Sequence, residues 1–297
     1  MSRSPLNTGR RLVIGVPFLW LFLFFLLPFA IVLKISFAEA DVAIPPYTEI
    51  FRYAEQQLQV LINLGNYIFL SEDELYLAAY LGSLKIAFFS TLLCLVIGYP
   101  MAYAIARARK DLQTVLLLLI MMPTWTAILI RVYAWMGILS SNGLLNSLLL
   151  GMGLIDRPLQ ILNTDVAVYI GVVYSYLPFM ILPLYSALEK MDETLLEAAA
   201  DLGCPPLAAF WKITWPLSLP GVFAGCLLCF IPAVGEFVIP DLLGGSDTLM
   251  IGKVLWTEFS VNRSWTVSSA VAVLLLMVLV IPIVFYQNVQ QRELEGR

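Results

Sequence analysis

The chain has 297 residues, 60% of them hydrophobic and 13% charged, with a formal net charge of −4. Soluble domains carry about 45–50% apolar and about 25% charged residues, so this composition points to a membrane and leaves room for several spans of about 20 apolar residues. No His is present, which excludes Ser-His-Asp catalysis, HExxH zinc chemistry and His proton relays.

In chain order, the sequence predicts a cytoplasmic N-terminus over residues 1–11, with Arg3, Arg10 and Arg11, then a first transmembrane helix over 12–36. A signal-peptide core is about 7–15 residues long. This run is much longer, so it reads as a retained anchor even though Ala38, Glu39 and Ala40 imitate a cleavage site. The segment 37–77 sets Glu39, Asp41, Glu49, Glu55, Glu72, Asp73 and Glu74 against Arg52. A second span covers 78–106 and ends in the cytoplasmic loop 107–111; a third covers 112–139, interrupted by Pro123 and Arg131. The outer loop 140–165 has turn signals at Asn142-Gly143 and Asp156-Arg157-Pro158. The fourth span is 166–188, with Pro178 and Pro183, and a cytoplasmic connector occupies 189–216. The fifth span is 217–240, followed by an outer loop at 241–266, a sixth span at 267–286 and a cytoplasmic tail at 287–297.

Orientation rests on Lys and Arg near the span ends. One side receives Arg3, Arg10, Arg11, Arg107, Arg109, Lys110, Lys190, Lys212, Arg292 and Arg297; the other receives Arg52, Arg157, Lys253 and Arg263. Both termini and the 189–216 connector are therefore expected in the cytoplasm. The low isoelectric point of about 4.9 comes largely from the acidic outer segment. That face suits a cationic solute or partner, and equally an ordinary solvated loop. The expected fold is an all-α membrane protein of six transmembrane helices with a cytoplasmic helix-turn-helix insert.

Within the insert, Thr194 followed by Glu197 fits a capping box. Leu195, Ala198, Ala199 and Leu202 fall on one helical face. Gly203 suits the left-handed position that closes a helix, and Pro205-Pro206 can open the next. Leu207, Phe210, Trp211 and Ile213 supply the second helix with an apolar side, and Pro216 precedes the fifth span. The insert thus reads as two short helices at an angle. It is either a docking knob, which the Ala run lets a partner approach closely, or an interfacial hairpin with Trp211 and Trp215 at headgroup level. Cys226 and Cys229 form a CxxC inside an apolar run and read as small buried side chains.

Glu197, Ala198, Ala199, Gly203, Ile213 and Pro216 stand at the spacing of the "EAA" loop, and on them the chain resembles the permease subunits of binding-protein-dependent, ATP-driven importers. Trp215 replaces the usual Leu. The resemblance implies a type I ABC importer permease whose insert is a coupling helix docking on a cytoplasmic ATPase. The chain has no Walker A: residues 244–254 contain Gly-Lys, but the glycine spacing is wrong and Val254 stands where Ser or Thr would hold Mg²⁺. ATP and Mg²⁺ are therefore expected on partner subunits, with no cofactor, metal site or enzymatic activity in this chain.

Ionisable groups within a span are costly and usually face a cavity or a partner. Lys34 and Lys85 lie near span ends and are expected to snorkel. Arg131 is deeper and is read as half of an ion pair or as a holder of backbone carbonyls near Pro123. Around Glu236, Pro232, Gly235 and Pro240 predict irregular backbone, tolerated at membrane depth only where protein or a water-filled cavity satisfies it. Glu236 is either a carboxylate beside a solute path, with Asp241 following, or the partner of Arg131 or of another subunit. Trp125, Tyr133, Trp135, Tyr174 and Tyr176 cluster near that level. Their ring faces attract cations, though such residues also form interface belts. Gly221 and Gly225 allow span five to pack closely on a neighbour, in this chain or another.

The stretches 235–245, 44–49, 130–139 and 197–203 are similar, more narrowly, to polyamine-importer permeases of the putrescine type, with spermidine or another small organic cation as the alternative solute. That implies a second, non-identical permease subunit, two ATPase subunits, a periplasmic polyamine-binding protein that supplies most selectivity, and residence in a bacterial inner membrane. Membrane lipid is the remaining expected partner, and nucleic acid is not one. Two other classes compete: an ATP-independent secondary carrier or channel, and a membrane enzyme. The second lacks a His, a GxSxG and an acid pair inside a span.

Overall fold

The structure, a computed structural model, describes residues 6–48, 51–54 and 57–295. Arg3, Glu49, Glu55 and Arg297, which the charge reading uses, lie outside the described residues. The chain is nearly all helical. In order it forms α1 (Leu6–Leu21), a wide π turn (Phe22–Leu26), α2 (Leu27–Ser36), β1 (Phe51–Ala54), β2 (Gln57–Val60) and α3 (Gly65–Glu72). Then come α4 (Glu74–Ala106), α5 (Lys110–Met121), a 3₁₀ turn (Met122–Trp125), α6 (Ile128–Leu139), α7 (Leu144–Gly151), α8 (Asp165–Glu189) and α9 (Thr194–Asp201). The remainder is α10 (Pro206–Ala209), a second π turn (Phe210–Thr214), α11 (Trp215–Val234), α12 (Val238–Leu243), α13 (Ile251–Ser260) and α14 (Trp265–Glu295).

Among the described residues, six helical stretches are long and apolar enough to cross a membrane: Leu12–Ser36, Glu74–Ala106, Ile128–Gly151, Asp165–Glu189, Pro206–Val234 and Trp265–Val284. Three details differ from the sequence reading. Residues 51–54 and 57–60 pair as short antiparallel strands, with Phe51 opposite Val60 and Ala54 opposite Gln57. In the third stretch the expected interruption is found at Pro123 but not at Arg131, which lies inside α6. Pro123 ends regular helix, and Thr126 and Ala127 are extended between the 3₁₀ turn and α6.

The third difference lies in the insert. Its second helix does not stop at Pro216 but runs unbroken from Pro206 to Val234. A proline removes one i→i−4 hydrogen bond and pushes its ring at the preceding turn. Here the backbone widens just before it, Trp215 N–H bonding to Phe210 O five residues back. The same device precedes Pro28, where Leu27 N–H bonds to Phe22 O. Each wide turn makes room for the ring, so the helix continues.

The fold divides into two compact units, Met1–Leu77 with Leu255–Val278 and Ala78–Val254 with Leu279–Arg297. In the first, Asn66 Nδ2 donates to Ser36 O and Ala38 O, both at 2.9 Å, and Asn63 Nδ2 donates to Glu39 at 2.7 Å. The Ala38–Ala40 stretch is thereby tied to the start of α3. Tyr76 donates to Glu258 at 3.1 Å, and Phe259 stacks on Trp265 at 5.6 Å.

In the second unit, α4, α8 and α11 share an apolar core that includes Cys94, Ala102, Met180, Ile181, Leu184 and Val222. Gly221 and Gly225 identify their neighbour as α8 of the same chain. A Cβ at Gly221 would stand 2.6 Å from Ala187 Cβ and 2.8 Å from Pro183 O, and one at Gly225 would stand 2.8 Å from Met180 Sδ. Between apolar helices in lipid, this backbone-to-backbone approach supplies dispersion contacts that longer side chains would block. Cys94, Cys226 and Cys229 are free thiols; Cys229 donates weakly to Tyr176 O at 3.3 Å, a core role that agrees with the sequence reading.

Candidate functional site

The insert is built from the end of α8 outward. Asp192 accepts the Thr194 N–H at 3.0 Å and starts α9. The Thr194 N–H and hydroxyl hold the Asp192 carboxyl below its ordinary range. The expected capping box is absent: Glu193 occupies the boundary position and no side chain caps it. Asp192 takes the exposed N–H instead, and Glu193 reaches Arg107.

The far end of α9 closes as the sequence predicts. Gly203 adopts φ +74°. Cys204 N–H bonds to Ala199 O and Gly203 N–H to Ala200 O, both at 2.9 Å, the paired closure of a Schellman turn. Pro205 is extended and Pro206 sits in the first turn of α10, where its missing N–H is harmless.

This turn presents an apolar tip: Leu202 is 88% and Leu207 72% exposed. Glu197, Ala198, Gly203 and Pro216 are exposed as well, whereas Ala199 is buried and Ile213 half-buried. Behind the tip, Phe210 and Trp215 lie 5.6 and 5.4 Å from the Tyr99 ring. The buried Tyr99 hydroxyl and Ser218 Oγ share a 2.8 Å hydrogen bond. The tip therefore stands on a rigid aromatic base joined to α4.

Sequence reasoning missed the braces on the insert. Arg107 pairs with Glu193 at 2.5 Å and Lys110 with Glu189 at 3.0 Å. Buried Gln113 donates to Ala106 O and Ala108 O, both at 3.0 Å, and accepts from Tyr185 at 3.2 Å. The available signal was complementary charge: a basic loop at 107–110 against Glu189 and Glu193.

The second region surrounds Glu236. The helix breaks at Gly235–Phe237, where irregular backbone was expected. Glu236 is 8% exposed. Its Oε1 accepts the N–H groups of Phe237, Val238 and Ile239 at 3.2, 3.0 and 3.5 Å, and its Oε2 accepts the Tyr176 hydroxyl at 2.5 Å. The carboxylate thus caps the N-terminus of α12, with both oxygens engaged by this chain's own donors.

Arg131 forms no ion pair with Glu236. Its Nε and Nη1 are enclosed without a hydrogen-bond partner among the described residues. Asp241 faces Lys253 at 3.5 Å. Lys34 and Lys85 are exposed.

The aromatic residues divide rather than cluster. Trp125 and Tyr133 are 72% and 57% exposed. Trp135 meets Tyr174 edge-on at 5.3 Å. With Tyr169 and Leu93, Ile97, Val166, Ile170 and Val173, they line an apolar cleft of about 520 Å³. Tyr176 belongs to the Glu236 cap.

The chain is 38% identical over 288 residues to the spermidine/putrescine transport system permease protein PotB of Haemophilus influenzae, covering 94% of this chain and 93% of that protein. It is 41% identical over 267 residues to the PotB of Escherichia coli K12, covering 90% and 92%. The fold is similar to that in a crystal structure of a bacterial alginate ABC transporter in complex with an alginate pentasaccharide-bound periplasmic protein, with a TM-score of 0.72, 16% identity and 98% of each chain covered. Residues 10–295 match the family described as the binding-protein-dependent transport system inner membrane component. On the strength of that match and of the two relatives, the chain belongs to this family of importer permeases.

Proposed function

We propose that the chain is one membrane half of a bacterial polyamine importer, with putrescine as its first solute, driven by ATP hydrolysed on separate subunits. The observation that carries this reading is the insert. A rigidly based apolar tip at Leu202 and Leu207, closed by left-handed Gly203, stands beside the exposed Glu197–Ala198 face. That is a shape for docking in a groove. The names of the relatives support a polyamine, and they support spermidine as much as putrescine.

In this reading the insert and both termini face the cytoplasm, and two ATPase subunits receive the tips of this chain and of a second, non-identical permease. A periplasmic polyamine-binding protein delivers the solute and sets most of the selectivity. Closure of the ATPase pair biases the bundle between two states, and the loaded binding protein biases it from the other end. Glu236 is closed to solute while it caps α12. A diammonium solute gains access to it only in a state where that first turn has opened, and the ring faces of Trp135, Tyr169 and Tyr174 offer a second cation-attracting surface.

Reconstitution tests the proposal. The chain, its permease partner, the ATPase and the binding protein are placed in proteoliposomes, and labelled putrescine and spermidine uptake is followed with and without ATP. Uptake that requires ATP, the ATPase and the binding protein supports the reading. Uptake by the chain alone on an ion gradient contradicts it and makes the protein a secondary carrier or channel.

A further inference from the structure

The contacts around the insert point to a second route for the motion it receives. We infer that Arg107 and Lys110 are positioning residues that latch the α4–α5 turn to the insert, so that a displacement of the insert reaches α4 and α5 as well as its covalent neighbours α8 and α11. The inference rests on the coupling role proposed above and adds the path by which force spreads.

The placement of the charges is the first ground. Glu189 is the last residue of α8 and Glu193 directly precedes α9, so they bracket the elbow at 190–192. Lys110 holds one side of the elbow at 3.0 Å and Arg107 the other at 2.5 Å. Glu189 raises the affinity of the Lys110 ammonium for its proton. With both contacts in place, Lys110 ties the turn to the end of α8, and α9 does not swing about the elbow without carrying residues 107–110 along or breaking the Arg107–Glu193 pair.

The second ground is the mounting of the turn. Gln113 is 6% exposed and binds the carbonyls of Ala106 and Ala108 while accepting the Tyr185 hydroxyl of α8. The turn is therefore fastened to α4, α5 and α8 by a buried side chain. The Arg107 guanidinium also lies over the Tyr103 ring at 5.6 Å, and its Nε and Nη2 are enclosed without hydrogen-bond partners among the described residues. Losing Glu193 would leave that cation partly enclosed and uncompensated, so the latch resists opening more than a fully solvated pair.

The third ground is what these pairs do not do. Exposed ion pairs contribute little to stability, and the Glu193 side chain is 69% exposed. Two pairs with both bases on the turn and both acids flanking one elbow are better explained by geometry than by stability.

The test uses the complete importer in proteoliposomes and reads solute imported per ATP hydrolysed, with ATPase copurification as a parallel readout. Reversing the turn (R107E with K110E) or the elbow (E189K with E193R) is expected to lower that ratio about fivefold or more, the lower end of ordinary coupling free energies. Combining all four reversals is expected to restore most of it, with normal ATPase copurification throughout. An unchanged ratio in either reversal overturns the latch, as does a loss that the four-fold swap does not repair, or a reversal that dissociates the ATPase. Because a reversal can impair folding, the wild-type complex supplies a second measurement. Spin labels at Ala108 and Lys190 are expected to keep one distance with and without nucleotide, and a separation that changes with nucleotide overturns the inference. If the wild-type complex itself imports no solute on ATP, the proposed function has failed; if it does and only the variants behave as wild type, the latch alone has failed.

Discussion

Glu236→Gln separates the two meanings of that carboxylate. The substitution keeps an oxygen for the N–H groups of Phe237, Val238 and Ile239 but removes the charge and puts an amide nitrogen toward the Tyr176 hydroxyl. Charge at a helix N-terminus contributes about 0.3–1 kcal/mol, up to about 2 kcal/mol when partly buried. Replacing the charge-assisted bond from Tyr176 by a neutral one removes roughly another 1 kcal/mol. The expected destabilisation is therefore about 1–3 kcal/mol. Glu236→Ala should cost more, since it leaves three backbone donors and a hydroxyl without this acceptor, each at about 1–3 kcal/mol where water does not replace it. A cycle with Tyr176→Phe isolates the hydroxyl–carboxylate bond. Unfolding of the detergent-solubilised chain measures these differences, and uptake is read under conditions where every variant is folded. If Glu236→Ala is as stable as wild type, the cap described here contributes nothing and the reasoning fails. If Glu236→Gln is folded and imports at the wild-type rate, the carboxylate is a structural cap only.

Other predictions concern packing, docking and pH. Gly221→Ala drives a methyl into Ala187 and Pro183 O and should cost about 1–3 kcal/mol; Ala187→Gly should relieve part of that, and additivity between the two would contradict the close α8–α11 approach. Glu197→Arg should weaken copurification of the ATPase without changing the unfolding midpoint, because the side chain is exposed; unchanged assembly would count against the docking role. The Asp192 carboxyl is held below its ordinary value, so its contribution is complete at neutral pH and above the ordinary carboxylate pKa of about 3.9, and is lost as pH falls through the lower folded value. Hydrogen exchange should show the Thr194 amide losing protection only at pH values below that ordinary pKa, and Asp192→Ala should abolish the pH dependence.

Much of this architecture is legible because the membrane makes hydropathy a strong signal. The apolar runs mark the crossings, Gly203 and Pro206 mark a turn that only left-handed and N–H-free residues suit, and Pro232, Gly235 and Pro240 mark the break beside Glu236. The misreadings have local causes. Pro216 looks like a helix boundary until the π turn before it is seen to accommodate the ring. Thr194 and Glu197 satisfy a capping pattern, yet Asp192 offers a better-placed carboxylate, and no local rule ranks the three. Residues 51–60 lack the sustained alternation that would distinguish short paired strands from an outer loop. The enclosed Arg131 nitrogens without a partner among the described residues, and the ion pairs of Arg107 with Glu193 and Lys110 with Glu189, depend on contacts between elements far apart in sequence. Charge spacing along one element does not reveal them.

The central claim is that the knob between α9 and α10 lies in the cytoplasm and carries a motor's force into the bundle. Cys204 sits in that knob, half-buried, while Cys94 and Cys229 are buried in the core and Cys226 is partly covered. A membrane-impermeant maleimide, with the labelled residue identified by mass, therefore tests the claim on the native chain. The account predicts labelling of Cys204 in inverted membrane vesicles, none in intact spheroplasts, and protection when the ATPase is bound. Labelling of Cys204 from outside the cell would contradict it.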